Sequence, residues 1–151
     1  MDGKDYFFLT EKDFERRITA GSFLEHATVH GYKYGTLKKT VNDALKRGMS
    51  ILMDIDVQGA AQIRRIVCGA PDGDLLKGGF VDIFVVPPSM HVLRERLEGR
   101  GEDTAEAIKR RLKNAEREMK SAEEFRHVIV NDDLDKAYRR LKDILEQESE
   151  I

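Results

Sequence analysis

The sequence predicts an α/β fold on a parallel sheet with a small lobe added near its start. Three observations carry this. Two near-continuous apolar runs, "MSILMDIDVQG" (49–59) and "FVDIFVVPP" (80–88), read as strands covered on both faces. A third run, "RHVIVND" (126–132), follows them, and helical periodicities fill the intervals, as alternating strand and helix around a parallel sheet requires. The first third differs, with short strands, aromatics and turns, and reads as the inserted lobe.

The elements follow in order. "DYFFL" (5–9) is aromatic-rich and predicts a short strand. In "TEKDFERRITAG", Thr10 and Asp13 have the spacing of a capping box, Phe14 and Ile18 share a face, and Gly21 supplies the stop, so a short helix is expected. Residues 22–30 predict a strand, with a turn near "HGYKYG". "TLKKTVNDALKRG" (36–48) predicts a helix that turns Val41, Ala44 and Leu45 inward and ends at Gly48. The 49–59 strand ends in Asp54 and Asp56, and a helix follows over 57–67. "CGAPDGDLLKGG" (68–79) reads as an exposed loop. Pro87 and Pro88 stop the 80–88 strand, and Ser89 caps a helix with Met90, Leu93 and Leu97 inward. "GRGEDT" breaks the chain before a charged helix over about 104–123. The last helix starts near Asp132, with Leu134, Ala137, Tyr138, Leu141, Ile144 and Leu145 on its periodic stripe.

A length of 151 residues suits one domain with a real core. With 26 basic and 28 acidic residues, the net charge of -2 argues against a general nucleic-acid or membrane surface, though not against a local anion pocket. Cys68 is the only cysteine, so no internal disulfide can form, which fits a reducing cytoplasm. No apolar stretch reaches 18 residues, and no signal peptide is recognisable.

Several side chains could carry chemistry. Ligands of open parallel sheets sit beyond the carboxyl ends of the strands, and two ends here are acidic, "MDID" and "VNDD". Each such aspartate could equally be a helix cap. Arg94, Arg96, Arg100, Arg110 and Arg111 surround a glycine-flanked break. They read either as a solvated helix face or as a hinged lid that grips phosphate oxygens. His26, His30, His91 and His127 have no metal-ligand spacing. "GSFLEHATVHGYKYGT" (21–36) threads polar side chains through an apolar run, although Glu25 taken alone reads as an ordinary exposed strand glutamate.

Together, "DGKDYFFLT", "FLEHATVHGYKYGT", "ILMDIDVQGA", "VPPSMHVLRERLEGRGED", "KRRL" and "VIVNDDLDKAY" follow one another as in guanylate kinases, which the chain resembles over essentially its whole length. The resemblance implies a P-loop-kinase-type parallel sheet flanked by helices, with a small GMP-binding lobe at 1–36, core at 37–99 and 124–151, and a helical lid at 100–123. It implies phosphorylation of GMP by ATP with Mg²⁺. Glu25 would accept from the guanine N–H and amino groups, and Thr36 would stand near the guanine carbonyl. Tyr6 and Tyr34 would donate to the GMP phosphate, and Asp56 would lie at the base side of the pocket. Arg96, Arg100 and Arg111 would clamp the transferring phosphoryl group, Asn131 and Asp132 would border ATP, and Asp54 would meet Mg²⁺ through water. The single cysteine and the charge balance point to a cytoplasmic protein without nucleic-acid or membrane partners, and a sheet lacking the family's first strand is expected to be less stable or to pair with a second copy.

The 151 residues hold no G-x-x-x-x-G-K-[ST] phosphate loop, and the strand that leads into it in the family is missing too. The expectation is a shortened form of a normal kinase, very weak or inactive by itself. The alternative is a non-catalytic guanylate-kinase-like module that binds a nucleotide or a protein.

Overall fold

A computed structural model describes residues 7–29, 31–101 and 103–149. The chain divides into two compact units, residues 1–80 and 81–151.

The first unit opens with helix α1 (Glu11–Thr19). The Thr10 hydroxyl accepts from the Asp13 backbone N–H at 3.1 Å and donates to the Asp13 carboxylate at 2.8 Å, satisfying one of the orphan donors of the first turn. Gly21, at φ 61°, turns the chain out of the helix through a conformation that costs an L-residue energy. Strand β1 (Phe23–Val29) then pairs antiparallel with β2 (Tyr32–Leu37). The Phe14 and Phe23 rings, both buried, stack at 4.5 Å and fasten α1 to the hairpin. The register shifts between Phe23 and Glu25. Leu24 lies in this irregularity and enters the core with Val41 of α2 (Lys38–Leu45) and Ile63 of α3 (Val57–Gly69). A short helix α4 (Leu75–Gly79), capped by Asp74, adds Leu76 to that core.

In the second unit β3 (Ile83–Val86) pairs in parallel with β4 (His127–Val130). A parallel pair needs a long crossover. It is made here by α5 (Met90–Gly99), α6 (Ala105–Glu118) and a 3₁₀ turn (Met119–Glu124). Ser89 and Thr104 cap the two helices as N-cap hydroxyls. Helix α7 (Leu134–Ser149) follows β4, with Ile144 fully buried and Ile129 nearly so. Glu148 holds the far end of α7, accepting from Arg126 at 2.9 Å and meeting His127 at 2.8 Å.

Several expectations are corrected. Residues 49–56 form no strand. The only strands described in their unit are β1 and β2, which pair with each other, so the run has no ladder partner there. Met53 and Ile55 still pack on the core, while Leu52 is 80% exposed, so the apolar run is covered on one face only. No strand forms at 7–9, and Phe7 and Phe8 are exposed; residues 5 and 6 lie outside the described residues. Residues 32–37, read as a turn and a helix start, are β2. Part of the expected 68–79 loop is helical, because Asp74 accepts from the Leu76 and Lys77 N–H groups. The strands expected over 80–88 and 126–132 shrink to Ile83–Val86 and His127–Val130, and the 104–123 helix tightens into its 3₁₀ turn. On α7, Leu134, Tyr138 and Leu145 are exposed, since the apolar arc is wider than the surface available to cover it. Among the described residues no helix is long and apolar enough to cross a membrane.

Candidate functional site

The hairpin register puts Glu25 opposite Thr36 and Ala27 opposite Tyr34. Side chains of a strand alternate between faces, so Glu25, Tyr34 and Thr36 share one face. The Thr36 hydroxyl donates to Glu25 Oε1 at 2.7 Å. Glu25 is 8% exposed, the one buried charged residue among those described. A buried carboxylate is costly unless hydrogen bonds satisfy it, and Thr36 supplies one. The other oxygen, Oε2, faces the first turn of α3: a Cβ built on Gly59 would meet it at 3.4 Å.

Asp56 caps that turn. Its Oδ1 accepts from the Gly59 N–H at 2.8 Å and lies 3.5 Å from the same Cβ position. Two carboxylates, a hydroxyl and the positive end of a helix dipole thus converge around Gly59. The structure brings together Glu25, Thr36 and Asp56, and sets Tyr34 on the hairpin face beside them. Tyr6 lies outside the described residues. Asp54 is exposed two residues before the cap. Gly59 and Gln62 were not foreseen. The signal for Gln62 was a polar side chain beside Ile63 on the buried stripe of α3.

The remaining expected residues are in the second unit. Arg96 donates to the backbone carbonyls of Asn131 at 2.8 Å and Asp132 at 3.2 Å, tying α5 to the segment after β4. Arg111 pairs with Asp103 at 3.2 Å across the α6 N-terminus. Arg100 follows α5 at its C-cap, exposed and without an ion pair among the described residues. Arginine forks of this kind match phosphate oxygens as readily as carbonyls and carboxylates.

Two open clefts lie elsewhere. One of about 650 Å³ runs between α5 and α6, beside Arg94, Lys109 and Lys113. Another of about 630 Å³ lies beside Ile18, Phe23, His26 and Gln58. None of Glu25, Tyr34, Thr36, Asp56, Arg96, Arg100 and Arg111 lines either.

The family model for guanylate kinase matches residues 1–148. The chain belongs to the guanylate kinase family. A guanylate kinase of Nitrosospira multiformis is 43% identical over 148 residues, covering 98% of this chain and 66% of that protein. One from Nitratidesulfovibrio vulgaris is 46% identical over 142 residues, covering 94% and 64%. The crystal structure of guanylate kinase from Anaplasma phagocytophilum matches with a TM-score of 0.70 at 34% identity, over 98% of this chain and 67% of that one. The chain thus spans about two thirds of the length of the curated guanylate kinases it resembles. Its α/β fold, read first from the alternation of apolar runs and helices, is that of the family.

Proposed function

We propose that this chain carries the GMP-recognition and phosphate-clamping parts of a guanylate kinase, which transfers the γ-phosphoryl group of ATP to GMP and gives ADP and GDP. The observation that carries the reading is the buried Glu25 carboxylate, held by Thr36 and facing the α3 N-terminus. Guanine offers two adjacent donors, N1–H and the 2-amino group; adenine offers no such pair. A carboxylate already fixed in place accepts both, and a base lacking them leaves it unpaired. The Thr36 hydroxyl has one proton, given to Glu25 in the structure; with GMP bound it turns that proton to the guanine carbonyl, while Glu25 accepts from the base instead. Tyr34 and Tyr6 are proposed to donate to the GMP phosphate, with Asp56 closing the base side.

Arg96, Arg100 and Arg111 are proposed to gather the phosphates, with Asn131 and Asp132 bordering ATP. Phosphoryl transfer is largely positioning and charge neutralisation, the task permanently charged guanidinium groups perform. Among the described residues no three His, Cys, Asp or Glu side chains cluster to hold a metal. That suits Mg²⁺ carried in with ATP, which keeps several waters and is held mainly by phosphates. Asp54, exposed next to the site, fits a contact to it through water. When bound, the ion offsets charge on the transferring phosphates. A cytoplasmic setting belongs to the same proposal.

Calorimetry with GMP and AMP on the 151-residue chain tests the reading. Binding of GMP well above AMP is expected, and equal binding of the two removes Glu25 and Thr36 from their roles.

A further inference from the structure

We propose that Gln62 is a positioning residue that sets guanine selectivity by holding β1 in register against α3; the inference rests on the GMP-binding reading of Glu25. Gln62 Nε2 donates to the His26 carbonyl at 2.9 Å, and the His26 N–H donates to Gln62 Oε1 at 3.1 Å. One side-chain amide thus takes both backbone groups of a residue 36 positions away.

This arrangement has a physical purpose. The hairpin is a two-stranded sheet, so each strand has an edge with unpaired backbone groups. At His26 the amide plane of Gln62 supplies a donor and an acceptor side by side, as a neighbouring strand would. No hydrocarbon side chain does this. A glutamate offers only acceptors while ionised, and asparagine is one methylene shorter.

His26 directly follows Glu25. A slip of one residue in β1 would turn Glu25 to the opposite face. A smaller shift would open the 2.7 Å contact to Thr36 or press Oε2 against Gly59. Gln62 belongs to the same helix as Gly59, so a single rigid element fixes both the β1 edge and the wall that Glu25 Oε2 faces. Gln62 touches no reacting atom; it acts through Glu25.

The ligand set isolates this role. Inosine monophosphate keeps the N1–H of guanine but lacks the 2-amino group, so the ratio of GMP to inosine monophosphate affinity reads the aim of the carboxylate. The experiment compares the full chain with Gln62→Leu and Gln62→Glu. It uses calorimetry with GMP, inosine monophosphate and AMP, and amide hydrogen exchange at His26. In Gln62→Leu, GMP affinity should fall about tenfold and inosine monophosphate affinity clearly less, so that the ratio shrinks as it does when a buried pair loses its alignment. His26 exchange should accelerate. Gln62→Glu, which keeps size and an acceptor, should fall between; it also carries the test if Gln62→Leu does not fold.

An unchanged ratio in both variants, or an equal loss for all three nucleotides, overturns the proposal and reduces Gln62 to a structural tie. An unmodified chain that does not prefer GMP over AMP overturns the guanine reading itself, and this inference with it. The two failures are therefore distinct.

Discussion

Across the β1–β2 hairpin the Thr36 hydroxyl donates to the buried Glu25 carboxylate at 2.7 Å, so the proposed recognition of guanine and the stability of the fold would draw on one hydrogen bond. Thr36→Val keeps the shape and removes the donor. Leaving a buried charged group short of a partner costs about 1–3 kcal/mol. Urea titration should show that loss, and GMP affinity should fall with it. Glu25→Gln separates the two effects. It keeps an acceptor for Thr36, so stability should change by less than about 1 kcal/mol, while the anionic acceptor for guanine is gone and GMP should lose its advantage over AMP.

Asp56 is the cap of α3. Asp56→Ala removes the 2.8 Å bond to the Gly59 N–H and should cost about 1 kcal/mol, as N-cap losses do. Asp56→Asn should recover most of that in thermal unfolding, since asparagine caps as well. If Asp56 also borders the base, Asp56→Asn will retain stability yet weaken GMP binding. A purely structural cap would recover both together.

Lys33 on β2 makes salt bridges with Glu15 and Glu11 of α1. Hydrogen bonds to Glu15 first, and to Glu11, raise its pKa above the ordinary 10.5. A raised lysine pKa means the folded state holds the proton more tightly than the unfolded chain. The contribution is therefore complete below the ordinary value and is lost as pH climbs through the raised one. Lys33→Met should lower the unfolding midpoint slightly at neutral pH. The difference from the unchanged chain should shrink above roughly pH 10.5, the region of lysine titration. A difference that stays constant into that range would show that the ion pairs of Lys33 are not its source.

How much of this was legible in the sequence differs by residue. Helix ends were readable because they depend on local chemistry: Thr10 with Asp13, Ser89, Gly21 and Gly48 act within a few residues of themselves. Residues 49–56 were misread because apolarity reports burial, whereas a strand also needs a partner whose position the local sequence does not encode. β2 was hidden because Tyr32 and Tyr34 are exposed and glycines flank them, so its two-residue alternation carried little hydrophobic contrast. At the site, Glu25 and Thr36 were named through the family resemblance, and the hairpin register brings them together. Gln62 left only a faint trace, a polar side chain beside Ile63 that does not name its partner. Its partner is a backbone 36 residues away, and backbone groups leave no mark in a sequence.

The arginines give a final contrast. Arg96 donates to two backbone carbonyls, whereas Arg100 has no ion pair among the described residues. Arg96→Lys replaces a planar fork with a point donor that reaches one carbonyl at a time. It should cost about 1 kcal/mol of stability, the net worth of an exposed hydrogen bond. Arg100→Lys should stay within roughly 0.5 kcal/mol, as surface substitutions do. If both clamp phosphates, each variant should weaken ATP binding in calorimetry, but only Arg96→Lys should also lower the unfolding midpoint without nucleotide. Adding ATP should then widen the stability gap if Arg96 contacts the phosphates, because the unchanged chain binds the nucleotide more tightly and gains more stability from it. An unchanged gap would fix Arg96 as a strut between α5 and the end of β4, leaving phosphate binding to Arg100 and Arg111.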